Sequence, residues 1–268
     1  RRILSLAGRA PLFPEAPRPL LFAHRGLSSI APENTMAAFR LARERGVPGL
    51  ELDIHLLASG ELAVVHDADA MRTCGQSLRF EDAMLGDVRA LDAGSWKGSA
   101  WSGEPVPLLA EVFEEFGDSI YYDIEIKGRT LADTGIAAAL ARLVADFRLE
   151  ARVAASSFNP VTLARLKPLA PRIPTAAIWC DEPDMPWYLR RGEGRWLARC
   201  DYLKPDRRLV RRPGNGARGR FSDSRRRRPV VPWVVDDGAE ARELLAAGCV
   251  GLVSNDPSAL DLDGHRSG

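Results

Sequence analysis

The chain predicts an α/β fold of parallel construction, an eight-stranded (β/α)8 barrel. Three observations point there. Short apolar runs alternate with helix-like segments through most of the sequence, the order that builds parallel sheets. Those strand-like runs number about eight, and 268 residues match the roughly 250 typical of one such barrel. A chain of this size buries about three quarters of its unfolded surface, so it needs no disulfide to hold a core.

The elements read in order. Leu20 to Ala23 is a first buried strand ending at His24, and Thr35 to Arg45 a helix with Met36, Phe39 and Leu41 near its apolar face, closed by Gly46. Gly49 to Leu56 and Leu62 to Val65 are the next two strands. Leu108 to Phe116 is a helix, Ile120 to Ile126 a strand, and Ala132 to Phe147 a long helix rich in Ala and Leu. Val153 to Ser156 is a strand, and Pro160 to Leu169 a helix with proline in its first turn, where no N–H is needed. Ala176 to Trp179 is a strand and Tyr202 to Leu203 a short one. Val230 to Val235, the helix Ala239 to Ala247 closed by Gly248, and Val250 to Ser254 complete the set.

Two places resist a regular barrel. Residues 57–62 are too few for a crossover helix between the second and third strands. Six extended residues reach roughly 20 Å, so the expected path runs back to the barrel floor. A hairpin is disfavoured because it would leave His66 at the far end of the sheet from Asp53. The second irregularity is 67–107, without strong period and containing Arg72, Trp96, Lys97 and Trp101; it reads as an insertion or cap over the barrel mouth. Residues 1–19 form an N-terminal extension and 20–262 the barrel domain.

Formal charge is +1, which gives the whole chain no bias toward nucleic acid or acidic membrane. Cys74, Cys180, Cys200 and Cys249 are scattered without metal-ligand or paired spacing and read as free thiols of a reducing compartment. No run of 18 apolar residues spans a bilayer, and Arg1 to Gly8 holds too short an apolar stretch for a signal peptide. A cytoplasmic location is the expectation, with an earlier segment left open because the chain begins at arginine.

The chemistry lies in His24-Arg25-Gly26, Glu33-Asn34-Thr35, Glu51-Leu52-Asp53 and His66-Asp67. Side chains two apart on a strand share a face, so Glu51, Asp53 and His55 point one way, as do Tyr121, Asp123, Glu125 and Lys127. Buried carboxylates must be paired or bind something. Glu51, Asp53 and Glu125 would make an oxygen site for a hard divalent cation such as Ca²⁺ or Mg²⁺. Glu125 or Asp53 could equally pair with Lys127 or Arg25 in a structural network. His24 and His66 stand at matching strand ends, suited to carrying protons near neutral pH. Arg25 could hold a phosphate oxygen or make a surface ion pair. Asn34 or Thr35 could cap the following helix, whose N-terminus would favour an anion. Together these groups suit metal-assisted phosphate-ester cleavage.

In these motifs the sequence resembles the glycerophosphodiester phosphodiesterase family. The match adds Val64-Val65-His66-Asp67, Pro105-Val106-Pro107-Leu108, Ile124-Glu125-Ile126-Lys127, Ser156-Ser157-Phe158, Val231-Pro232-Trp233 and Gly251-Leu252-Val253-Ser254-Asn255-Asp256-Pro257, in order from about residue 20 to 260. The resemblance implies a TIM-type barrel with a small insertion after the third strand, hydrolysing glycerophosphodiesters to sn-glycerol 3-phosphate and an alcohol. It implies His24 and His66 as the acid/base pair and Glu51, Asp53 and Glu125 as ligands of a divalent cation. It also implies Arg25 and Lys127 on the phosphate, Trp233 against the glycerol, and, less directly, Asn34 at the substrate and His55 behind the site. Val234 and Ser254 stand where the family usually has threonine.

Arg207 to Arg228 departs most from that pattern. An ordinary barrel helix is expected there, but glycines, prolines and clustered arginines disfavour one. A surface loop, a patch for anionic lipid or nucleic acid, and a locally altered sequence are the alternatives. The scarcity of aromatics among those arginines argues against a nucleic-acid partner. Rival functions are a phosphodiesterase for lysophospholipids or phosphoinositides on the same barrel, and a catalytically silent phosphate-ligand-binding protein.

Overall fold

The computed structural model describes residues 12–128, 130–183, 185–210 and 228–263. The chain opens with β1 (Leu20–His24), α1 (Met36–Glu44), β2 (Gly49–Leu56) and β3 (Leu62–Val64). Two short helices, α2 (Met71–Cys74) and α3 (Leu85–Arg89), precede α4 (Leu109–Phe116), β4 (Tyr121–Ile126) and α5 (Ile136–Asp146). Then come β5 (Val153–Ser157), α6 (Pro160–Leu169), β6 (Thr175–Trp179), α7 (Gly194–Leu197), β7 (Tyr202–Pro205), α8 (Gly238–Ala246) and β8 (Gly251–Ser254).

The parallel strands follow the order β7-β6-β5-β4-β2-β1-β8. The ring closes through residues 229–235, of which the sequence predicts Val230 to Val235 as a regular strand. Val231 N donates to Leu203 O and Trp233 N to Pro205 O on one side, while Val250 N donates to Val230 O and Val253 N to Pro232 O on the other. Only isolated bridges at Val230 and Trp233 form. Pro229 and Pro232 lack the N–H groups that a continuous ladder would use.

The expected return of the chain to the barrel floor after β2 is wrong: β2 and β3 form an antiparallel hairpin, with Ile54 opposite Val64 and Leu56 opposite Leu62. Register explains why the site survives. β1 pairs with β2 only as far as Glu51, so the end of β2 rises past its neighbour and carries the turn above the rim. The returning strand then brings Val65 N to Asp53 O at 3.0 Å. His66 arrives level with Asp53.

Residues from Leu57 to Leu108 gather their own apolar cluster around Phe80, Val65, Val88, Leu91 and Val106. Beneath the barrel, Leu12, Phe13 and Ala16 pack under Phe22, Tyr121 and Tyr202, with the Phe13 ring 4.9 Å from that of Tyr121. The largest core cluster lies between the strands and α1, α4, α5 and α6, around Phe39, Leu52, Phe113 and Leu140. Each such buried side chain contributes about 1.5–3 kcal/mol. Of the Arg-rich stretch, residues 211–227 lie outside the described residues.

Candidate active site

At the top of β2 and β4 the barrel interior turns from apolar to ionic. Glu51, Asp53 and Glu125 are buried, and each offers a carboxylate oxygen within 4.8 Å of the others. Burial raises the proton affinity of all three, and the outcome depends on neighbours. Lys127 Nζ lies 2.8 Å from Asp53 Oδ1, and Arg25 Nε 3.3 Å from Oδ2. These charges outweigh burial and hold Asp53 well below the usual carboxylate range. Against the same burial, Lys204 and then His24 keep Glu51 lowered. For Glu125 burial wins over the Lys127 ammonium that touches it, and its pKa is pushed up to about 7.

Both histidines are held by Nδ1. His24 Nδ1 lies 2.7 Å from Asn255 Oδ1, and its Nε2 faces Glu51 Oε2 at 4.0 Å. Asn255 is itself clamped, donating from Nδ2 and its backbone N to the two oxygens of Asp236. With its amide nitrogen so used, Asn255 presents oxygen to His24, so Nδ1 is the ring nitrogen that donates to it. His66 Nδ1 lies 2.6 Å from Asp67 Oδ1, and Arg72 Nε holds the other Asp67 oxygen at 2.6 Å. Burial lowers the His66 pKa, opposed by Asp53.

The loop after β1 packs around these groups. Gly26, at φ +80°, turns so closely on α1 that a Cβ would lie 2.6 Å from Ala38 Cβ. Arg25 and Asn34 both have φ +56°, a conformation that non-glycine residues adopt mostly where surroundings enforce it. Asn34 Nδ2 donates to Asp53 Oδ2 at 2.8 Å, so it orients the acid instead of capping α1. Thr35 is the cap, accepting from Ala38 N and donating to Pro32 O. Arg25 reaches Glu33, which Arg72 grips in turn with two nitrogens.

The profile of the glycerophosphoryl diester phosphodiesterase family matches residues 24–259. The chain belongs to that family. A glycerophosphodiester phosphodiesterase of Caldanaerobacter subterraneus subsp. tengcongensis is 33% identical over 243 residues, covering 90% of this chain and 96% of the relative. One from Bacillus altitudinis is 35% identical over 170 residues, 62% of this chain and 69% of the relative. The barrel also superposes on an Oleispira antarctica phosphodiesterase solved with its product sn-glycerol-3-phosphate, at 24% identity and a TM-score of 0.72, over 91% of this chain and 95% of that one.

The remaining positions that the family resemblance marks lie at the same rim. Trp233 stands edge-on to Phe158 with ring centroids 5.8 Å apart and donates from Nε1 to Lys204 O. His55 sits above the rim, its Nε2 3.3 Å from His66 O and its ring against Phe80, so it braces the His66 backbone. One buried cation escapes the sequence reading altogether. Lys204 Nζ lies 3.0 Å from Glu51 Oε1, 3.0 Å from Asp123 Oδ2 and 3.1 Å from Ser156 Oγ, while Tyr202 donates to Asp123 Oδ1. The clamp of Asp236 on Asn255 also goes unread. No helix among the described residues is long and apolar enough to cross a membrane.

Proposed function

We propose that the protein hydrolyses glycerophosphodiesters to sn-glycerol 3-phosphate and an alcohol, with His24 and His66 moving the protons and Glu51, Asp53 and Glu125 holding a divalent cation. The observation that carries this reading is the pair of imidazoles, each tied at Nδ1, beside three buried carboxylates. The donor set fits a hard cation: oxygens at about 2.3–2.6 Å from one ion can stand as far apart as these three do. Lys204 takes one oxygen of Glu51, which leaves the other facing the site. Bound Ca²⁺ or Mg²⁺ would supply neutralisation of phosphate charge.

The chain's own groups do the rest. Arg25 and Lys127 present positive charge at the inner end of the site for non-bridging phosphate oxygens, preorganised by Glu33, Asp53 and Glu125. One imidazole takes a proton from the nucleophile, which is water or the 2-hydroxyl of the glycerol. The other gives a proton to the departing alkoxide as its bond to phosphorus breaks. When the 2-hydroxyl attacks, water opens the resulting cyclic ester in a second step. Trp233 and Phe158 offer a wall for the glycerol carbons.

Release of glycerol 3-phosphate from a panel of soluble glycerophosphodiesters and micellar lysolipids, with chelator and then with added Ca²⁺ or Mg²⁺, tests the reading. His24→Ala and His66→Ala should each lower turnover by about 10² to 10⁴ with the fold intact. Wild-type turnover in either variant removes the mechanism, and full activity in chelator removes the cation.

A further inference from the structure

A cleft of about 370 Å³ opens beside His24 over β1 and β8, while Trp233, on the segment between β7 and β8, turns its ring toward Phe158 just past β5. Its wall is Trp96, a residue 42% exposed whose indole is fixed by an Nε1 bond to Ala93 O at 2.9 Å. Lys97 Nζ donates to Ser28 O at 2.7 Å and lies 5.7 Å from the Trp96 ring centroid; the Arg72 guanidinium lies 5.8 Å from it. Facing them are Asp236, which accepts from Ser254 and Asn255, and Asp256, which accepts from Ser258 and Ala259 N.

We propose that this cleft receives the leaving alcohol, and that it favours a neutral polyol over a cationic or apolar alcohol. The inference rests on the phosphodiesterase reading above, which puts the glycerol at Trp233 and so sends the other ester arm toward His24. The indole already has two cations within reach, and Glu33, Asp236 and Asp256 already have arginine or hydrogen-bond partners, so a quaternary ammonium would have to compete with Lys97 and Arg72 for the ring face that normally attracts it. An apolar chain would strip water from the remaining hydrogen-bonding positions of these carboxylates and of the ammonium and offer them nothing in return. A polyol offers C–H groups to the ring and hydroxyls that both donate and accept, matching carboxylate acceptors on one side and an ammonium donor on the other.

The test is kcat/KM for glycerophosphoglycerol, glycerophosphoinositol and glycerophosphocholine in the wild type, Trp96→Ala and Lys97→Met, following glycerol 3-phosphate. The wild type should prefer the two polyol esters. Each variant should lose roughly tenfold on those esters and under about threefold on glycerophosphocholine, which also reports that the variant is folded. A wild-type preference for glycerophosphocholine overturns the proposal, as does unchanged turnover of the polyol esters in both variants. Equal losses on all three substrates would place the cleft around the shared glycerol phosphate and overturn it too. No turnover of any ester by the wild type defeats the hydrolase reading itself, and this inference with it.

Discussion

Asn255 and Asp67 hold the two imidazoles by the same atom with partners of different charge, and that difference makes the histidines separable by experiment. Asp67 stabilises protonated His66 against the burial that lowers its pKa. Asp67→Asn removes that support and lowers the His66 pKa further, so the limb of the kcat/KM profile that His66 controls should move to lower pH. Turnover should fall roughly 10- to 100-fold as the ring loses its orientation. A profile that does not move would detach His66 from the chemistry. Lys204 invites a different measurement, because it is the buried cation that faces both Glu51 and Asp123. Lys204→Met keeps most of the volume but strands two carboxylates, and breaking a buried pair in this way costs about 3–5 kcal/mol. Urea unfolding should show that loss.

At the scale of elements, legibility follows length. β2 matches its expected bounds because eight residues display alternation clearly, and α6 because Asn159 and Pro160 mark its start. β7 has four residues, too few for Tyr202 and Lys204 to declare a shared inward face, and so the buried lysine is invisible in the sequence. The β2–β3 hairpin eludes the sequence because strand length is legible there but the height at which a strand meets its neighbours is not; pairing ends at Glu51 on one side and Ile54 on the other. Both histidines and the acidic trio are readable, since carboxylates at every second position of an otherwise apolar strand must find a counter-charge or an ion. Their clamps are not, because Asp236 and Asn255 meet only through the folded end of the barrel. The loop joining β1 to α1 combines both lessons. Thr35 caps α1 while its neighbour Asn34 orients Asp53. Thr35→Ala should therefore cost about 1 kcal/mol, or roughly 2–4 °C in Tm, with modest effect on turnover. Asn34→Ala should show the opposite balance, and equal thermal and catalytic losses in the two variants would contradict this division.

Across the whole molecule, the barrel interior carries Glu51, Asp53, Asp123 and Glu125 against Arg25, Lys127 and Lys204, an excess of one negative charge that adds to burial, the larger cause, in raising the pKa of Glu125. A carboxyl whose folded pKa is about 7 binds its proton more tightly in the folded than in the unfolded chain. Its contribution to stability is therefore complete below the ordinary carboxylate pKa and is lost as pH rises through about 7. Glu125→Gln mimics the protonated form at every pH. In chelator, the variant and wild type should unfold at similar temperatures near pH 5, and the variant should become the more stable by pH 8, by on the order of 2–3 kcal/mol. Adding Ca²⁺ or Mg²⁺ at pH 8 should reverse the order, because the ion stabilises only the chain that binds it. Cation affinity of the wild type should likewise rise with pH across neutrality, as the proton on Glu125 ceases to compete. Melting curves of the two proteins from pH 5 to 8, with and without cation, contain the whole argument. A stability difference that stays flat with pH in chelator would mean that the excess charge is compensated elsewhere, and that the barrel does not hold one carboxyl in reserve for an ion.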